Sequence, residues 1–165
     1  MVLTGAIPGE QRTQMTEAIP AGLVTLRELD ADDRTLLDLA RAAAAHAYSP
    51  YSNYPTGTAI RSAAGGLYSG CNMENASFFS ICGERNAIAA ARVAEGEQLR
   101  ITDIVVWTTA ATGPPCGACR QSIVEFAADA RVVFRYQGVY AEMRGRHLLP
   151  VSFSLEPHGE GPSRG

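Results

Sequence analysis

Three cysteines and one glutamate have the types and spacing to do metal chemistry. Cys116 and Cys119 form a CxxC directly after Pro114-Pro115 and before an apolar-periodic run, and Cys82-Gly83-Glu84 lies upstream. Both groups fall at or near predicted helix N-termini, where partial positive charge lowers a thiol pKa and favours the deprotonated form that zinc requires. Cysteines at i and i+3 on a first helical turn face the same way, so both can reach one ion at the ~2.3 Å Zn–S distance. With Cys82 as a third thiolate, one tetrahedral position stays open, the arrangement of a catalytic rather than a structural zinc site. Glu84 is too close to Cys82 to join the ligands without crowding. It can lie beside the open position, take a proton from water and pass it to a leaving group.

Three thiolates on one Zn²⁺ leave excess negative charge, which the two helix ends offset in part. Arg85 either donates to a ligand sulfur, offsetting more of it, or forms an ordinary surface or interface ion pair. Two bland readings compete with the catalytic one. Cys71 could close a structural four-cysteine site, although structural sites usually come as paired knuckles and Cys71 ends a predicted strand, where a buried thiol is common. A thioredoxin-like redox CxxC leaves Cys82 and Glu84 unexplained. His46, His147 and His158 have no supporting pattern, and Trp107 reads as strand core. From spacing alone, Glu74 and Asn75 are as readily loop residues as functional ones.

The elements that must position these residues follow from periodicity. Asp30 precedes a helical stripe through Leu36, Leu37, Ala40 and Ala44, predicted to end by Ser49-Pro50. TGTAIRS and GLYSGCNM flank Ala63-Ala64-Gly65-Gly66 as a β-hairpin. A second helix is predicted from about Cys82 to Ala94, a buried strand over RITDIVVWTT, a third helix from near Cys116, and a strand over RVVFRY. This alternation implies an α/β protein, a three-layer α/β/α sandwich around a mixed sheet.

A length of 165 residues with 46% hydrophobic composition suits one domain. The expected organisation is a flexible extension over 1–22, the domain over 23–156 and a flexible tail over 157–165. A formal net charge of −3 without a basic cluster argues against a polynucleotide partner. No signal peptide or membrane-spanning run is expected, and the cysteine usage favours the cytoplasm.

Taken together, Cys-Gly-Glu at 82–84 and Pro-Cys-Gly-Ala-Cys-Arg at 115–120 resemble the zinc deaminase signature, [H/C]-x-E followed by P-C-x-x-C. The three-cysteine form is similar to the cytidine deaminases of the small homotetrameric type. The likeness runs from about Tyr48 to Phe153 and includes YSPYSNYPTG, SGCNMENAS, CGER, PCGACRQ and HLLPVSF. It implies a mixed five-stranded sheet and a homotetramer with active sites shared between subunits. It also implies one zinc per chain on Cys82, Cys116 and Cys119, with Glu84 as the proton shuttle. Asn72 and Glu74 match the pair that holds ribose hydroxyls, Tyr54 falls where a Phe commonly packs against the nucleoside, and Phe153 matches an aromatic that reaches a neighbouring subunit's pocket.

The sequence departs from the family pattern in several places. Tyr54 and Thr56 stand where Phe and Val are usual, which makes the pocket edge more polar. The segment from Asn72 to Cys82 is one residue shorter, and Gly83 replaces an Ala. The implied reaction is hydrolytic deamination of cytidine or deoxycytidine with release of ammonia, as in pyrimidine salvage. The alternatives are a deaminase of a modified cytosine nucleoside, resembling blasticidin S deaminase, and a non-catalytic zinc-stabilised binding module.

Overall fold

The computed structural model describes residues 25–77 and 79–155, so the expected extension over 1–22, the tail over 157–165 and His158 lie outside the described residues. Its elements in chain order are β1 (Thr25–Arg27), α1 (Ala31–Ala44), β2 (Thr56–Ser62), β3 (Leu67–Cys71), α2 (Gly83–Glu95), β4 (Ile101–Thr108), α3 (Gly117–Ala127), β5 (Arg131–Tyr136) and β6 (Val139–Arg144). Asp30 caps α1 as expected: its carboxylate accepts from the Asp33 N–H at 2.9 Å, and that of Asp33 accepts from the Asp30 N–H at 3.3 Å. The helix ends at Ala44, well before Ser49-Pro50.

The strands form one mixed sheet in the order β1-β6-β5-β4-β2-β3. It has six strands rather than the expected five, because Thr25–Arg27 pairs antiparallel with β6 at the outer edge. β6 itself follows β5 through a tight turn, with positive φ at Gln137 (51°) and Gly138 (87°). The β2–β3 hairpin turns at Gly65, whose φ of 85° suits glycine.

Side chains alternate between the two faces of each strand. Ile60, Ile104, Val106, Val132 and Phe134 point to the α2/α3 face and build the larger core with Ala87, Ala91 and Ile123. Ala59, Val105 and Val133 point to the other face, where Leu36 and Ala40 of α1 cover them and Trp107 packs at the margin. The result is the expected α/β/α layering. Among the described residues no helix is long and apolar enough to cross a membrane.

This topology places the chemistry. β2 is antiparallel to both β3 and β4, and β4 is parallel to β5, so β3, β4 and β5 run the same way. The crossovers β3–α2–β4 and β4–α3–β5 therefore bring both helices back over one face, and their N-termini emerge at the same edge of the sheet. The carboxyl ends of parallel strands are the usual place for a site in such folds.

Candidate metal centre and its pocket

Cys82 and Cys116 occupy the same position in two helices. Each is an N-cap residue with extended backbone, at φ −77° and ψ 157° in Cys82 and φ −68° and ψ 168° in Cys116, and neither side chain caps its own helix. Cys119 lies in the first turn of α3 and is buried. The three sulfur atoms all lie within 4.8 Å of one another, and the Sγ atoms of Cys82 and Cys116 are 3.7 Å apart. Two sulfurs at the ~2.3 Å Zn–S distance in tetrahedral directions stand about 3.8 Å apart, so the thiols fit one zinc ion. Cys71 is not part of this cluster; it ends β3 opposite Gly57, and its carbonyl accepts from Asn86 Nδ2 at 2.7 Å. The structural four-cysteine reading is therefore not supported.

The thiols differ in charge preference. The hydrogen bond from Cys119, followed by the Arg85 guanidinium, lowers the Cys82 pKa to about 5. Cys119, which gives that hydrogen bond and is buried, moves upward. Arg85 faces the cluster: its Nη2 lies 4.0 Å from Cys82 Sγ and donates to the Ser80 carbonyl at 2.7 Å.

Glu84, two residues past Cys82, is only 4% exposed. Burial, reinforced by the Cys82 charge, raises its carboxyl pKa above the usual carboxylate value. The first turn of α2 can sit this deep because β3 presents Gly70 to it. A Cβ at Gly70 would lie 2.7 Å from the Gly83 carbonyl oxygen and 2.5 Å from the Ala87 nitrogen, so any side chain there would displace the turn that carries Glu84.

A pocket of about 320 Å³ opens above the cluster, with Cys82, Cys116 and Glu84 in its wall. Tyr54, Thr56, Asn72 and Glu74 also line it. Asn72, 8% exposed, braces the loop around it: Oδ1 accepts from the Thr56 N–H at 2.8 Å, and Nδ2 donates to the Tyr54 carbonyl at 2.9 Å. Glu74 Oε2 accepts from the N–H groups of Tyr51 at 2.9 Å and Ser52 at 3.2 Å. The Ser52 hydroxyl, with these amides, keeps the Glu74 pKa below its usual value.

One expectation changes. The Tyr54 hydroxyl does not make the pocket edge more polar, because it donates to the Thr112 carbonyl at 3.1 Å. Phe153, expected to serve a neighbouring subunit's pocket, is 70% exposed and does not line this one; its backbone is tied to α3 by hydrogen bonds with the Gln121 side chain. Sequence reasoning also missed Ser52, Ser80, Val106, Gly113 and Pro114, which complete the wall. The prolines that bracket Ser52 and precede Cys116 were the available signal, since they mark loops held in fixed shapes next to the site.

Residues 30–136 match the family described as the cytidine and deoxycytidylate deaminase zinc-binding region. The chain is 37% identical over 128 residues to a cytidine deaminase of Sporosarcina psychrophila, covering 76% of this chain and 93% of the relative. It is 38% identical over 128 residues to one of Halalkalibacterium halodurans, covering 76% and 96%. Among solved structures it resembles the cytidine deaminase of Burkholderia pseudomallei, with a TM-score of 0.65 and 36% identity over 73% of this chain and 98% of that one. It likewise resembles the enzyme of Mycobacterium tuberculosis, with a TM-score of 0.65 and 30% identity over 76% and 100%.

Proposed function

The chain belongs to the cytidine and deoxycytidylate deaminase family, and on that premise we propose that it hydrolyses the exocyclic amine of a free cytosine nucleoside, cytidine or deoxycytidine, and releases ammonia. One observation carries this reading: a buried carboxyl, Glu84, shares a pocket wall with two of three thiols spaced for a single ion. Cys82, Cys116 and Cys119 would hold a zinc ion, which would supply the Lewis acidity that activates water at neutral pH.

The chain's own residues do the rest. Glu84 takes one proton from the attacking water and delivers it to ring N3. It then takes the second and delivers it to the amino nitrogen, which leaves as ammonia. Arg85 offsets the charge of the ligand sulfurs. Asn72 and Glu74 hold the sugar hydroxyls, and Glu74 keeps one carboxylate oxygen for this while the other is anchored by the 51–52 backbone. The Tyr54 ring packs against the nucleoside. Among the described residues the pocket wall presents two glutamates and neither arginine nor histidine, which suits an uncharged nucleoside and opposes a phosphorylated one.

The same reading takes residues 23–156 as the deaminase domain, working in the cytoplasm in pyrimidine salvage. It takes the assembly as a homotetramer in which Phe153 completes a neighbour's pocket. The exposure of Val151 (91%), Phe153 (70%), Leu155 (77%) and Phe79 (82%) supports such an assembly. Ammonia release from cytidine, deoxycytidine, deoxycytidylate and blasticidin S by the zinc-loaded protein tests the substrate. The expected order places the two nucleosides well above the nucleotide and the antibiotic; a preference for either of the latter would overturn it.

A further inference from the structure

Resting on the deaminase reading, we propose that the Tyr54 hydroxyl is a strut across the mouth of the pocket, which sets its width and so its discrimination against bulkier cytosine nucleosides. Two loop segments line the pocket beside Tyr54. One is the 52–56 loop, held by Asn72. The other is Gly113-Pro114, which leads directly into the ligand Cys116.

The second wall is fastened mainly from its outer side, to the β5–β6 turn. The Gly113 N–H donates to the Arg135 carbonyl at 2.9 Å, the Gly138 N–H to the Ala111 carbonyl at 2.9 Å, and the Gln137 N–H to Thr112 Oγ1 at 3.0 Å. On the pocket side the tether is Tyr54, whose hydroxyl donates to the Thr112 carbonyl at 3.1 Å across 58 residues of sequence. The wall backbone is pressed close at this point. A Cβ at Gly113 would lie 2.4 Å from Thr108 Cγ2 and 3.1 Å from the Tyr54 oxygen.

Tyr54 is itself fixed at both backbone groups, since its N–H donates to Ser52 Oγ at 3.1 Å and its carbonyl accepts from Asn72. The phenol therefore transmits the position of one rigid wall to the other. A phenylalanine would keep the ring but release the wall, because Thr112 is exposed and its carbonyl would turn to water at little cost. The released wall can then move outward, and the pocket admits a larger base.

The test compares wild type and Tyr54→Phe as full-length zinc-loaded proteins, using two independent readouts. The first is amide hydrogen exchange of the segment 109–117 without substrate, which the variant is expected to raise at least about threefold, as for one lost hydrogen bond. The second is kcat/KM for 5-bromocytidine relative to cytidine, expected to rise about fivefold in the variant and to do so mainly through KM. Unchanged exchange overturns the strut, and raised exchange with unchanged selectivity overturns its role in discrimination. Thr112→Val, which removes the bond to Gln137 but touches no pocket atom, is expected to move both readouts the same way by less. If wild type releases no ammonia from either nucleoside, the deaminase reading and the selectivity role fall together, and the exchange result still decides the strut.

Discussion

Two buried carboxylates lie on opposite faces of the same sheet and have opposite surroundings. Asp33, in the first turn of α1, is fully buried, and Arg131 Nη2 stands 3.0 Å from it. That guanidinium also pairs with Asp103 at 2.8 Å and lies 3.7 Å from Glu142, so one side chain ties α1 to β4, β5 and β6. Glu84, in the first turn of α2, is almost as deeply buried, yet among the described residues no basic side chain forms an ion pair with it. Its neighbours are thiols and a pocket. A buried carboxylate given a cation becomes a fixed clamp. One left without an ion-pair partner and placed beside candidate metal ligands is free to exchange protons, which is what a proton shuttle needs.

The contrast breaks most completely if the ligands are removed. Cys119→Ser is expected to lose zinc from an otherwise folded chain, with ammonia release falling to background; metal analysis alongside the activity assay checks both. Next in size, Arg131→Met removes the guanidinium that pairs with buried Asp33 and with Asp103. It is expected to cost about 3–5 kcal/mol in denaturant unfolding while the folded fraction keeps its activity. Loss of activity without loss of stability there would erase the distinction between the two sites. Arg85→Gln is expected to lower kcat/KM by roughly 10- to 100-fold, or to weaken zinc by as much, as seen for groups that support metal ligands, with unfolding little changed. Cys71→Ser, outside the cluster, is expected to keep zinc and activity and to change stability by under about 1 kcal/mol.

The metal centre was legible in the sequence because its logic is local. Cys82, Cys116 and Cys119 sit at helix starts that apolar periodicity reveals, and Glu84 is two residues from a ligand. β2 and β5 were legible for the same reason, as short β-branched runs. β6 was not: VYAEMR mixes apolar and charged residues, and its turn is Gln-Gly rather than a strong hairpin signal. It forms because β5 offers an edge and Arg131 receives Glu142. β1 has three residues and exists only as a partner of β6. The fate of the Tyr54 hydroxyl was likewise hidden, since its acceptor is a backbone carbonyl 58 residues away that only the fold brings near. Features set by neighbours in the chain could be read, and features set by neighbours in space could not.

Glu84→Gln tests the central claim most directly, because it keeps the shape of the side chain and removes only its ability to accept and release a proton. Zinc content, thermal unfolding and ammonia release from cytidine would be measured on the same preparation. The predicted result is about one zinc per chain, an unchanged unfolding transition, and turnover lowered by about 10³- to 10⁴-fold. Turnover near wild type with zinc in place would contradict the assignment of Glu84 as the group that moves the proton.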